Sequence, residues 1–276
     1  YTFLKGAVVV LAEAILIKQW GAVLYDFTNH GDSLTKEENT MRKRILSALL
    51  ALCMVLTMAP AAFAADVTVS TAEELAAAIE NAADGETVTL SGDVDLASSY
   101  ITFDKADCEV ILDLGGHKLT KSSGANGITI LVKAGTLTIQ NGTIETTSLN
   151  RASQGAINVE ADCSADQQAV YATLVVKEDV TINSSSYAGI GVFGNVAQVD
   201  VYGNVNGLYY GVAGNGTKNA TTNFGGTVIN IYDGAKIGHT DPNDGVGIFQ
   251  SQEGTLNIHG GEIIGLVGVQ ICSGTA

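Results

Sequence analysis

Leu137-Thr-Ile-Gln-Asn-Gly-Thr-Ile144 is the stretch on which the fold turns. Two apolar residues flank a polar one, Gln follows, Asn-Gly makes a turn, and an apolar residue resumes the chain. Alternation of this kind marks a strand with one buried face, and Asn-Gly is a strong turn dipeptide. The pattern returns at Leu112 (LDLGGHKL), Leu174 (LVVKEDVTI), Val199 (VDVYGNV), Ile229 (INIYDGAKI) and Leu256 (LNIHGGEI), with starts 25, 37, 25, 30 and 27 residues apart. A second apolar segment trails each copy: 127–130, 156–159, 189–192, 211–212, 247–248 and 268–271. Recurrence at this interval marks a repeat architecture, and the absence of a helical period excludes helical solenoids.

The repeats predict an all-β chain, a right-handed single-stranded parallel β-helix of about six coils over residues 91–276. Each strand then pairs with its counterparts about 4.8 Å above and below. Alternation assigns Leu112, Leu137, Leu174, Val199, Ile229 and Leu256 to one inward column. Leu114, Ile139, Val176, Val201, Ile231 and Ile258 form the next. Residues 65–90 predict a strand–helix–strand cap. Thr71-Ala-Glu-Glu74 fits a capping box, and Leu75, Ala78, Ile79 and Ala82 share one helical face. Such a cap covers the open end of a solenoid. Ile271 to Ala276 follows a strand with no terminal cap, so the β-helix is expected to be truncated there as a gene fragment.

Residues 41–64 have the three parts of a secretory signal peptide. Arg42, Lys43 and Arg44 are its basic region, Ile45 to Met58 its apolar region, and Ala62-Phe63-Ala64 its cleavage site. The apolar run is shorter than the ~20 residues of a membrane span. The forty residues before Met41 are expected to be translated upstream sequence and not native protein. Lys36-Glu37-Glu38 can be encoded by codons containing the ribosome-binding hexamer AGGAGG. The expected location is therefore secreted or on a bacterial cell surface, with no membrane span in the mature chain.

The formal net charge is −15. Residues 1–64 carry six Lys/Arg and five Asp/Glu, which leaves eight and 24 for residues 65–276. Acidity of that degree excludes nucleic acid as a partner and keeps a protein soluble. Of the four cysteines, Cys108, Cys163 and Cys272 follow the signal segment, with no zinc-type spacing. They read mostly as free thiols, with a Cys108–Cys163 bridge left open.

The cap TAEELAAAIENAADGETVTL (71–90), followed by coils such as LTIQNGTI, resembles the secreted β-helix proteins of the pectate-lyase-like superfamily. The resemblance covers about residues 66–276. It implies the fold, and it leaves the activity open among polysaccharide lyases, glycoside hydrolases and non-catalytic, adhesin-like surface proteins. Lyases of that group use a basic residue, often with Ca²⁺ held by acids. Arg151 is the one arginine after the signal, in a polar loop stretch. The hydrolases use several aspartates with His and an Arg-x-Lys motif, and no such motif occurs here. Asp241-Pro-Asn-Asp244-Gly245, with His239 close by, is the nearest acidic cluster. Asp241, Asp244 and Glu253 are the candidates for Ca²⁺, although the loop lacks EF-hand spacing; no other cofactor is implied.

An outward column carries the binding expectation. It reads Gly115, Gln140, Lys177, Tyr202, Tyr232 and His259. Beside it run Asp113, Thr138, Val175, Asp200, Asn230 and Asn257. Tyr202, Tyr232 and His259 suit contact with sugar rings, and Asp200, Asn230 and Asn257 supply hydrogen-bonding groups. The competing reading is a ladder that only stabilises the sheet. No catalytic set stands out. The expected function is therefore a non-catalytic β-helix protein that binds polysaccharide or host-surface glycan or protein. A polysaccharide lyase or glycoside hydrolase is the alternative.

Overall fold

The computed structural model describes residues 66–147, 155–161, 170–214, 226–239, 244–251 and 253–272. The signal segment and cleavage residues Ala62 and Ala64, together with Arg151, Cys163 and Asp241, lie outside the described residues. Every strand pairing among the described residues is parallel. The chain is a parallel β-helix with three strand stacks, one more than the two strands per repeat read from sequence. The third apolar residue of each repeat, such as Ile144, belongs to a short strand of its own.

The first stack runs through β4 (Ile101–Asp113), β6 (Ile130–Gln140), β9 (Ala172–Val176), β12 (Ala197–Val201), β15 (Thr227–Ile231) and β18 (Gly254–Ile258). The second is a seven-stranded sheet: β3 (Val94–Asp95), β5 (Lys118–Lys121), β7 (Gly142–Thr146), β10 (Val180–Ser184), β13 (Asn204–Asn206), β16 (Lys236–Gly238) and β19 (Glu262–Ile264). The six sequence copies account for six of these rungs, and β3 adds one before them. The third stack is β8 (Gly155–Ala161), β11 (Ala188–Gly194), β14 (Tyr210–Ala213), β17 (Val246–Gln250) and β20 (Val267–Ile271). Strand β6 pairs with both β8 and β9, so it runs unbroken from the third stack into the first.

The helix α1 (Ala72–Asn81) forms where the capping box places it. The Thr71 hydroxyl accepts from the Glu74 amide, while the Glu74 carboxylate accepts from the Ser70 amide and hydroxyl. That second bond reaches one residue further back than the standard box. Leu75, Ile79 and Ala82 are buried. Strand β1 (Val67–Val69) pairs with β2 (Thr87–Leu90), which pairs with β4.

The inward columns are as alternation assigned them from Leu137 onward, but the first coil is shifted. Val110 opposes Leu137, and Leu112 opposes Ile139. Leu112 and Leu114 were expected at those two places. A slip of two residues keeps every side chain on its face, so alternation does not detect it. The extra length sits in the Leu114–His117 turn, which is two residues longer than its counterpart because β5 still matches β7 as Leu119 to Ile144. Ile258 departs from the core assignment: it is 47% exposed on the outermost rung, whereas Ile231 beneath it is fully buried. Each buried aliphatic side chain contributes about 1.5–3 kcal/mol.

Glycines let the second and third stacks meet. A Cβ at Gly189, Gly211 or Gly247 would lie 2.5, 2.7 or 2.2 Å from a γ-carbon of Val205, Ile237 or Ile263. In these three trailing segments the glycine before the Ile or Val therefore makes room for a β-branched neighbour.

Candidate functional site

The outward face of β9, β12, β15 and β18 carries two adjoining ladders. The registers Val201–Ile231 and Ile231–Ile258 place Tyr202, Tyr232 and His259 at successive rungs, one residue past the strand pairs. Tyr202 and Tyr232 stack with ring centres 4.2 Å apart and planes 4° from parallel. Tyr232 and His259 stack at 5.0 Å and 17°. The Lys177 ammonium stands 5.8 Å from the centre of the Tyr202 ring, on the preceding rung. The spacing follows from the ~4.8 Å separation of paired strands, which brings like rings to contact distance.

Stacking along the solenoid axis turns the ring faces toward one another. Ring edges and phenol oxygens are left to meet solvent, while the facing surfaces of the rings are covered by one another. Burial first, then the hydrogen bond with Tyr232, then the carboxylates of Asp200 and Glu178 push the Tyr202 phenol up. The hydroxyl is thus a proton-bearing group across the neutral range.

Asp200, Asn230 and Asn257 share the neighbouring column and are hydrogen-bonded in series. Asn257 Nδ2 donates to Asn230 Oδ1 at 2.8 Å, and Asn230 Nδ2 donates to Asp200 Oδ1 at 2.6 Å. Gln198 Nε2 donates to both Asp200 oxygens at 3.1 Å. Gln198 was not among the expected residues, although its place two before Asp200 on one strand face was readable from alternation. Asp113 was expected beside Thr138. The register shift puts it opposite Gln140, whose amide donates to it at 2.9 Å. Burial raises the Asp113 carboxyl, and bonds from Gln140, the Gly115 amide and Asn141 outweigh that and leave it lowered.

Tyr209 and Tyr210 do not join this face. They cluster with Tyr187 and Phe249 at the corner between the second and third stacks: Tyr187 to Tyr210 is 4.8 Å, and Tyr210 to Phe249 is 5.1 Å. Burial and the Tyr210 hydroxyl push the Tyr187 phenol up to about 12.

Of the acidic candidates, Asp244 and Glu253 are among the described residues. Asp244 and Glu253 lie at opposite ends of β17, separated by about 16 Å of extended strand. The Asp244 carboxylate accepts from the Gly245 amide. Among the described residues, no three His, Cys, Asp or Glu side chains gather as metal ligands. Cys108 and Cys272 are free thiols, and Cys163 lies outside the described residues. Burial pushes the Cys108 thiol up. Among the described residues no helix is long and apolar enough to cross a membrane.

Sequence reasoning missed Lys121. It is fully buried, and its ammonium donates to the carbonyls of Ser98 at 2.8 Å and Ser99 at 2.6 Å. Its alternation partner Leu119 points inward too, which was the available signal. Burial pulls the Lys121 amine down.

The fold and this face define a parallel β-helix with a polar–aromatic surface. Compared with known proteins, the chain matches no family model, no curated protein and no solved structure.

Proposed function

We propose that the protein is a non-catalytic, exported β-helix of the cell surface or medium that binds glycans or other extracellular surfaces through the outward face of β9, β12, β15 and β18. The observation that carries this reading is the continuous ladder of Lys177, Tyr202, Tyr232 and His259 beside the amide series Asp200, Asn230 and Asn257. Its side chains are held in place by one another before any ligand arrives, which lowers the entropy cost of binding. Rows of hydroxyls, amides and ring edges match the hydroxyl-rich edge of a sugar chain. Export rests on the Met41–Ala64 signal segment.

The test passes the chain over a panel of immobilised surface polysaccharides. The double variant Tyr202→Phe with Tyr232→Phe keeps the stacks and removes two hydroxyls. Retention should fall about tenfold, from net hydrogen-bond contributions of roughly 0.5–1.5 kcal/mol each. Unchanged retention would show that this face is not the binding surface. Release of shortened or unsaturated sugars during the same incubation would replace the reading with a lyase or hydrolase.

A further inference from the structure

The ladder lies in a field of one sign. Its two columns and the turns that follow them carry the carboxylates of Asp113, Glu178, Asp179, Asp200 and Asp233 against the ammonium of Lys177. That ammonium is already placed over the Tyr202 ring. Asp200 and Glu178 act on the Tyr202 hydroxyl strongly enough to help raise its pKa. Glu178, Asp179 and Asp233 are exposed at the rim. An anionic sugar placed against the phenol edges would therefore meet like charge. No three metal-ligating side chains gather among the described residues to hold a bridging cation. The ladder also has a direction: its contacts repeat from rung to rung, along the solenoid axis and across the strands. From Lys177 to His259 it spans four rungs, about 14 Å.

We propose that the ligand of this face is an uncharged, hydroxyl-rich polymer lying across the strands along the solenoid axis, and that polyuronates and other polyanions are refused by the carboxylates at its rim. This rests on the face being the glycan-binding surface. Recognition comes from phenol hydroxyls and amides, and selectivity from repulsion.

The experiment takes each neutral polysaccharide the chain retains and compares it with its own carboxymethylated derivative, with chelator present. At about 20 mM salt the carboxymethylated form should be retained on the order of tenfold less well. The gap should close at about 500 mM salt, where exposed charges are screened. The variant Glu178→Gln/Asp179→Asn/Asp233→Asn leaves the ladder intact. It should hold the neutral polymer as before and narrow the gap. Equal or better retention of the carboxymethylated polymer overturns the charge inference while the binding surface stands. So does a gap that the triple variant leaves unchanged. If no polysaccharide on the panel is retained, the binding surface itself is refuted, and this inference with it.

Discussion

Removing Tyr232 opens two contacts at once, with Tyr202 at 4.2 Å and with His259 at 5.0 Å. Stacked aromatic pairs contribute about 0.5–1.5 kcal/mol each beyond their buried area. Tyr232→Ala should therefore cost about 1–3 kcal/mol from stacking alone, and Tyr202→Ala should cost less because it loses one ring partner. A double-mutant cycle isolates the shared contact: the double variant should be less destabilised than the sum of the singles by about 0.5–1.5 kcal/mol. Urea unfolding followed by far-UV circular dichroism measures this, as a shift in midpoint at constant slope. Tyr187 belongs to the other aromatic cluster, so Tyr187→Ala with Tyr202→Ala should be additive within about 0.5 kcal/mol. If the Tyr202/Tyr232 pair is equally additive, the rings are neighbours by register only, and the ladder contributes nothing to the rigidity of the face.

The remaining predictions concern the scaffold. Ile231→Ala should lower stability by about 2–5 kcal/mol, because the side chain is fully buried, and Ile258→Ala, on the exposed outermost rung, should cost far less in the same urea assay. Gly211→Ala should destabilise by about 1–3 kcal/mol through overpacking, since its Cβ would meet the Gly238 nitrogen at 2.5 Å and Ile237 at 2.7 Å. Tyr187 is raised from 10 to about 12, so the unfolded chain loses its proton first and stability falls as pH rises from 10 to 12; Tyr187→Phe should flatten that fall in a pH series of unfolding midpoints. Lys121 is shifted the other way. Its folded value lies below 10.5, so the unfolded chain binds more protons in that interval and stability climbs with pH up to 10.5, a rise that Lys121→Met should remove. Iodoacetamide should label exposed Cys272 well before buried Cys108 in peptide mass spectra.

Alternation made most of the core legible because it reports which face a residue occupies. Leu137, Leu174, Val199, Ile229 and Leu256 needed nothing else. Register is a different quantity, and the two-residue slip at Leu112 is invisible to a pattern of period two. The stacking of Tyr202 with Tyr232 followed from matching positions, whereas the direction of their ring faces depends on side-chain torsions that spacing does not encode. Ile258 carries the same sequence signal as Ile231, and only its place on the outermost rung separates them. Lys121 was hidden because its charge suggests a surface, while its three-proton head finds backbone carbonyls inside.

The corner between the third and first stacks has a use beyond this molecule. From β11 the chain reaches β12 through Asn195 and Val196 alone, yet from β14 it takes residues 214–226 to reach β15. Both routes deliver their strands in register, with Val199 opposite Ile229. A corner indifferent to the length of its connection is a natural graft point. A foreign peptide would be carried best within residues 214–226, because Asn195 and Val196 of the short route are themselves buried.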